Sequence, residues 1–322
     1  MSDRQKVIVS FLSLLGLFLF LLLAYFYYPR EQPKKPQEML LIAHRGVHQT
    51  FPFDNVKNDT CTASIIDFPT HEYLENTIPS IEAAFNDGAD MVEIDIHPTV
   101  DDQLAVFQDE LIDCRTEGKG VTHEQSMQYL KTLDIGFGYT ADKGKNFPFR
   151  GKGIGLMPTL DEVLLKFPDK KLAINQKDTF NRTVQLLADR LMQYPESQKN
   201  IYFFSGDAQY HLLKSQIPDV KKILPTGKEE TNCIPDYLGM LFSGNISEDC
   251  KRYAIVIPAR YLHFVPGWPN VALSKARQAG LKVYVTDVDS VDEYNGIKSL
   301  PVDGIVTNRI EIIGPLVKNL QQ

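Results

Sequence analysis

The sequence has no cluster or stripe of lysine and arginine, and its formal net charge is -7 over 322 residues. A nucleic-acid surface is thereby excluded, because such a surface needs a basic patch to displace counterions from phosphates. No glycine-rich loop of the Walker or dinucleotide type follows any apolar run, which weighs against an open, doubly wound sheet. No Cys-x-x-Cys pair suggests zinc. Internal repeats and low-complexity tracts are missing as well. With 43% hydrophobic and 23% charged residues, nothing in the composition points to disorder. What remains is a chain long enough for one large domain with a sizeable core, and a small anionic substrate held by a few local charges stays compatible with it.

One long apolar run is present. Val7 to Tyr28 carries no charge over 22 residues, enough at about 1.5 Å per residue to cross a hydrocarbon core of about 30 Å. The run is too long for a signal-peptide core, and its exit, Tyr25-Phe26-Tyr27-Tyr28-Pro29, lacks the small residues of a cleavage site. We therefore expect an uncleaved anchor over residues 1–28 with an interfacial aromatic belt, a short stiff linker over 29–38, and a folded domain over 39–322. Arg4 and Lys6 precede the run while Arg30, Lys34 and Lys35 follow it, so charge does not set its orientation. The four cysteines, Cys61, Cys114, Cys233 and Cys250, fall in expected loops or element ends. Two disulfides, Cys61–Cys114 and Cys233–Cys250, are the simplest pairing, and a domain on the exported side, periplasmic, lumenal or extracellular, would explain them; four unpaired thiols in a cytosolic domain are the alternative.

Within the domain, short runs of Val, Ile, Leu and Phe alternate with amphipathic segments, the pattern of strands buried on both faces and separated by helices. Strands are expected at Met39–Ala43, Met91–Ile96, Leu104–Phe107, Lys171–Lys177, Ile201–Ser205, Lys222–Leu224, Tyr253–Ile257, Lys282–Thr286 and Gly304–Thr307. Helices are expected at Ile78–Asp87, Thr122–Lys131, Leu160–Phe167 behind a Thr159 cap, Thr179–Met192, Ala208–Ser215 and Val271–Ala279. This α/β order predicts a (β/α)8 barrel with one short strand outside it.

In such a barrel the strand tips carry the chemistry. The first strand ends in His44-Arg45-Gly46, which puts an acid-base group, a fixed cation and a close-approach glycine at one tip. In the second, Glu93, Asp95 and His97 alternate with Val92, Ile94 and Ile96, so the carboxylates share the inner face. Two buried carboxylates side by side call for a positive partner, and a hard, oxygen-preferring cation suits them; an ion pair with Arg45 or Lys177 is the competing arrangement. On the next long strand Asn175 offers a carbonyl oxygen to the same cation, and Lys177 a charge for phosphate.

An ordered motif series follows the whole domain: Ala43-His44-Arg45-Gly46, Glu75-Asn76-Thr77, Gly88-Ala89-Asp90 with Glu93-Ile94-Asp95, Phe107-Gln108-Asp109-Glu110, Pro158-Thr159-Leu160-Asp161-Glu162 and Val302-Asp303-Gly304-Ile305-Val306-Thr307. In this order the chain resembles the glycerophosphodiester phosphodiesterases. The resemblance implies a TIM barrel, a divalent cation such as calcium or magnesium, and hydrolysis of glycerophosphodiesters to glycerol phosphate and an alcohol; with the anchor holding the barrel near lipid, lysophospholipid-like diesters are a further expected substrate. It implies His44 as an acid-base histidine, Arg45 on the phosphoryl oxygens, Glu93 and Asp95 as metal ligands, and Glu75 beside the metal. No protein partner is implied. The chain departs from the family at Gln108, where a second acid-base histidine usually stands, and at Asn175, where a third acidic ligand is common. Gln108 cannot exchange a proton near neutral pH. His48 and His97 are candidate substitutes, although a strand-end histidine more often only satisfies a hydrogen bond. Gln108 thus opens a second reading, a silent barrel that binds phosphodiesters or lipid headgroups; intramolecular attack giving a cyclic phosphate is a third. The segment Val47–Leu74 is longer than the family's and is expected to form a lid or specificity loop stapled through Cys114, while Cys233–Cys250 and Trp268 are candidates for the opposite wall.

Overall fold

The computed structural model describes residues 3–27, 39–52, 56–57, 60–222, 224 and 228–318. Helix α1 (Asp3–Tyr27) holds the apolar run; Tyr28 and the expected linker 29–38 lie outside the described residues. The barrel domain starts with β1 (Leu40–Ala43), α2 (Ile78–Asp87), β2 (Met91–Pro98), β3 (Leu104–Val106), α3 (Met127–Leu130), α4 (Leu160–Lys166) and β4 (Lys171–Gln176). It continues with α5 (Asn181–Gln193), β5 (Ile201–Phe204), α6 (Asp207–Gln216), α7 (Lys228–Ser243), β6 (Ile255–Pro258), α8 (Asn270–Gln278), β7 (Val283–Thr286), α9 (Val291–Ile297), β8 (Gly304–Thr307) and α10 (Ile310–Lys318).

Seven parallel strands curl in the order β5-β4-β2-β1-β8-β7-β6, the curled sheet of a TIM-like barrel. β1 is central, paired with β2 through Ala43↔Val92 and with β8 through Ala43↔Thr307, so the tips of β1, β2 and β8 meet. Asp95 lies opposite Asn175 in the β2–β4 register. The surplus strand is β3, which pairs antiparallel with β2 through Ile96↔Val106. The expected strand Lys222–Leu224 is corrected: Lys222 and Leu224 belong to no strand, Ile223 lies outside the described residues, and Lys221 makes one isolated parallel bridge to Tyr202. Two lysines before it and Pro225 after it leave an apolar segment of two residues, too short for a ladder.

Local chemistry explains some of the helix starts. Thr77 Oγ1 accepts from Ser80 N at the start of α2, and Thr159 and Glu162 form a reciprocal capping box on α4. The expected helix Thr122–Lys131 is broken into a 3₁₀ turn, Thr122–Glu124, and α3, because Ser126 is extended and starts a new turn by accepting from Tyr129 N. Sequence reasoning passed over α7, α9 and α10. Pro235 lies inside α7 and Pro315 inside α10, and Gly296 inside α9, so breakers hide their periodicity. Cys233 lies within α7 rather than in a loop.

Two cores result. The main one lies between strands and outer helices, with Val92, Ile94 and Ile96 all fully buried. A smaller one, built around Ile112, Leu130, Tyr139, Phe149 and Met157, forms between β3 and α4 and packs on Leu74. The Cys61–Cys114 disulfide ties the segment after β1 to this second core, and Cys233–Cys250 closes α7 onto the turn before β6.

Candidate active site

At the β1 tip the chain turns sharply. Arg45 has φ +58° and Gly46 φ +79°, and a Cβ on Gly46 would stand 2.9 Å from the Ser80 carbonyl, so only glycine fits there. The turn is pinned because the Arg45 carbonyl accepts from Asn76 N at 3.0 Å and from Ser80 Oγ at 3.1 Å. Arg45 thereby points across the barrel. Its Nη1 donates to Glu75 Oε1 at 3.1 Å, and its Nε lies 3.2 Å from Asp95 Oδ2.

Asp95 is completely buried. Its Oδ2 accepts from Asn76 Nδ2 at 3.0 Å, its Oδ1 from Asn175 Nδ2 at 2.9 Å, and Lys177 Nζ stands 3.4 Å away. Burial alone pushes this carboxyl up, but Lys177 and Arg45 overcome that and hold it below the usual carboxylate range. Glu93 is left with less. It accepts from Asn175 Nδ2 at 3.1 Å, and its Oε2 faces His44 Nε2 at 3.9 Å. Burial and then the Asp95 charge raise its proton affinity. Between these two carboxylates, which are acceptors, the Asn175 amide meets both with its nitrogen.

His44 Nδ1 lies 2.7 Å from Asn308 Oδ1, whose Nδ2 in turn donates to Asp289 Oδ2 at 2.8 Å. An amide oxygen can only accept, so Nδ1 carries the hydrogen and Nε2 the lone pair, directed towards Glu93. Burial, with help from the Arg45 charge, lowers the His44 pKa to about 4, so the ring is neutral near pH 7. His48 stands at right angles to it, ring centres 5.6 Å apart, and is anchored to the Gln49 carbonyl at 3.0 Å. His97 lies 3.4 Å from the Gln108 carbonyl, and Gln108 Oε1 is buried with no hydrogen-bond partner among the described residues.

Behind Arg45 lies a group that sequence reasoning did not find. Arg115 is 2% exposed and donates to Glu75 Oε1 at 3.0 Å, Asp109 Oδ2 at 2.6 Å and Thr62 Oγ1 at 3.0 Å, while Tyr139 OH donates to Glu75 Oε2 at 3.2 Å. Burial opposes the Glu75 charge, yet Arg115 and Arg45 hold its carboxyl far below the normal range. Thr62 and Arg115 each follow a cysteine of the Cys61–Cys114 disulfide, so the staple delivers both to Glu75. Glu75 is thus tied to two arginines. Asn308 and Asp289 were also passed over, and Asn76 was quoted in a motif without a role, although Asn308 directly follows a strand end, a position that marks barrel-mouth residues.

A hard divalent cation needs several oxygen donors gathered at one place. Among the described residues no three His, Cys, Asp or Glu side chains gather as a metal cluster. Glu93 and Asp95 with the Asn175 amide nevertheless form an oxygen-rich set once that amide turns over, and the raised proton affinity of Glu93 marks a carboxylate short of positive charge. The set fits a hard cation held by fewer charges than three acidic ligands would bring.

A model of the glycerophosphoryl diester phosphodiesterase family matches residues 44–312. A glycerophosphodiester phosphodiesterase of Caldanaerobacter subterraneus subsp. tengcongensis is 25% identical over 289 residues, covering 87% of this chain and 98% of the relative. A human lysophospholipase D is 28% identical over 149 residues, 44% of each chain. In fold, the crystal structure of a glycerophosphodiester phosphodiesterase from Agrobacterium tumefaciens superposes with a TM-score of 0.61 at 19% identity, covering 87% of this chain and all of that one.

Proposed function

The chain belongs to the glycerophosphoryl diester phosphodiesterase family, and from that premise we propose that its barrel hydrolyses glycerophosphodiesters to glycerol phosphate and an alcohol with His44 as the proton-transfer group. The observation that carries this is the fixed tautomer of His44, locked through Asn308 and Asp289 with Nε2 facing the buried carboxylate pair. Neutral His44 takes a proton from the attacking water as its oxygen bonds to phosphorus, and the imidazolium returns a proton to the departing alkoxide. Arg45 and Lys177 line the inner face and offset charge growing on the phosphoryl oxygens.

Glu93, Asp95 and Asn175 would hold calcium or magnesium; Glu75 is reserved for positioning Arg45. A bound cation would polarise the phosphoryl group and offset its charge. Charge balance supports this. Among the described residues, the permanently charged cations paired with the carboxylates Glu75, Asp95 and Asp109 or beside Glu93 are Arg45, Arg115 and Lys177, so a divalent cation arriving with a singly charged diester restores neutrality. Gln108 and Asn175 favour one competing reading, a barrel that binds diesters with little turnover. A positioned second acid-base group is worth about 10² to 10⁴ in rate, and Gln108 supplies none of it.

The finer reading is a single-pass membrane enzyme that also takes lysophospholipid-like diesters, with its barrel on the exported side. Three features support it: the similarity to a human lysophospholipase D over part of the chain, the two disulfides, and the seating of α1. Leu22, Tyr25 and Phe26 pack into the main core, with Phe26 8% exposed, so cleavage of α1 would strip the barrel of a core residue. The test is release of glycerol phosphate by the full chain in detergent, with and without calcium or magnesium. Cation-dependent release that His44→Ala and Glu93→Ala abolish is the expected result; no release under any cation would leave the binding barrel.

A further inference from the structure

α7, β6, the turn Ala259–Phe264 and the start of α8 enclose an apolar cleft of about 270 Å³ lined by Trp268 and by residues of the Cys233–Cys250 segment, the expected opposite wall, and by none of the charged or histidine side chains of the candidate active site. Its rim is apolar as well. Ile234, Leu238 and Phe242 recur every fourth residue along α7 and are each about half exposed, and Phe264 across the cleft is 71% exposed. A water-facing surface rarely gathers such residues without a use for them.

What covers this surface is indicated by where α1 lands. The exposed apolar side chains of α1 from Val7 to Leu23 require lipid around them. Tyr25 OH donates to the Leu241 carbonyl at 2.9 Å, the Tyr25 ring stacks on Phe242, and the Phe26 ring meets Phe242 edge-on with centres 5.1 Å apart. The helix suited to crossing a bilayer therefore ends on the same stripe of α7 that borders the cleft. We infer that the α7 stripe and the turn Ala259–Phe264 form a membrane-facing surface whose cleft receives a hydrocarbon chain of a lipid in the bilayer that α1 spans. The inference rests on reading α1 as a span. Insertion of Leu238 and Phe264 beside the cleft would add buried apolar area to the hold of α1 and keep the barrel at the surface.

Trp268 is the only tryptophan of the chain, which makes the test direct. The full chain is reconstituted into phosphatidylcholine vesicles with either plain or dibrominated acyl chains. After an alkaline carbonate wash, the chain is expected to stay with the vesicles, and Trp268 emission to fall about twofold or more in the brominated ones. A Leu238→Asp, Phe264→Asp variant, altered only at exposed positions, is expected to stay in the vesicles with unchanged melting temperature and to lose most of the quenching. Retention of the chain with equal emission in both vesicles overturns the lipid surface while leaving the span intact. Release by the wash overturns the span, and the lipid surface with it. Equal emission together with a cross-linked dimer that the double variant converts to monomer overturns it in favour of a second copy on this face.

Discussion

His44 Nδ1 and Asn308 Oδ1 lie 2.7 Å apart, although 264 residues separate them in the chain. The contact exists because β1 and β8 pair in register through Ala43↔Thr307, so the residues just beyond both strand ends face each other. In Asn308→Ala the ring loses its fixed tautomer. We expect kcat to fall about tenfold to hundredfold with KM little changed. The Asn308 hydrogen bond favours the charged ring, so its removal lowers the His44 pKa further from about 4. The acid limb of the kcat/KM profile should then move to lower pH, a shift that loss of packing alone would not produce.

Arg115 is argued from burial. Replacing it with methionine leaves Glu75 and Asp109 without their shared cation, and breaking a buried pair from one side costs about 3 to 5 kcal/mol. Urea unfolding of Arg115→Met should show a loss of that order. Tyr139→Phe removes a single hydrogen bond to Glu75 and should cost about 1 to 2 kcal/mol.

The difference between these groups also shows what a sequence can disclose. Glu93 and Asp95 were legible because strand periodicity alone decides which way they face, and α2 and α4 because their caps are local. Arg115 was not: it sits in a segment with no periodicity, and its role depends on a disulfide to a residue 53 positions away. Asn308 and Asp289 needed the β1–β8 register before they acquired a partner. The distinction between Lys221 as a bridge and Lys222–Leu224 as a strand is likewise set by neighbours rather than by composition.

Gln108 carries the sharpest catalytic prediction. Its Oε1 is buried without a partner among the described residues, and its carbonyl faces His97, so the pocket already holds a side chain of imidazole-like reach. Gln108→His should raise kcat by about 10² or more if a second proton-transfer group is what the site lacks. Steady-state release of glycerol phosphate checks it, and an unchanged kcat would mean that other groups already perform that transfer.

His48 should make stability depend on pH. Burial lowers its pKa to about 4 from an ordinary 6.5, so between those values the unfolded chain binds more protons than the folded one. Stability from this group is complete above about pH 6.5 and is lost as pH falls towards 4, about 2 kcal/mol of it by pH 5. His48→Gln should flatten the slope of unfolding free energy against pH across that window.

Asn175 decides how the carboxylate pair is neutralised. Its amide nitrogen donates to both Glu93 and Asp95, so Asn175→Asp replaces two hydrogen bonds with a third negative charge in a buried space. Without a divalent cation the repulsion must be met by proton uptake, and the melting temperature of the variant should fall below that of the native chain. With calcium or magnesium the same charge becomes a ligand, so the cation-induced rise in melting temperature should be larger in Asn175→Asp than in the native protein. Thermal melts titrated with each cation measure both effects. Opposite signs without and with the cation are the expected pattern, whereas a variant destabilised equally under both conditions would place the cation away from Glu93 and Asp95.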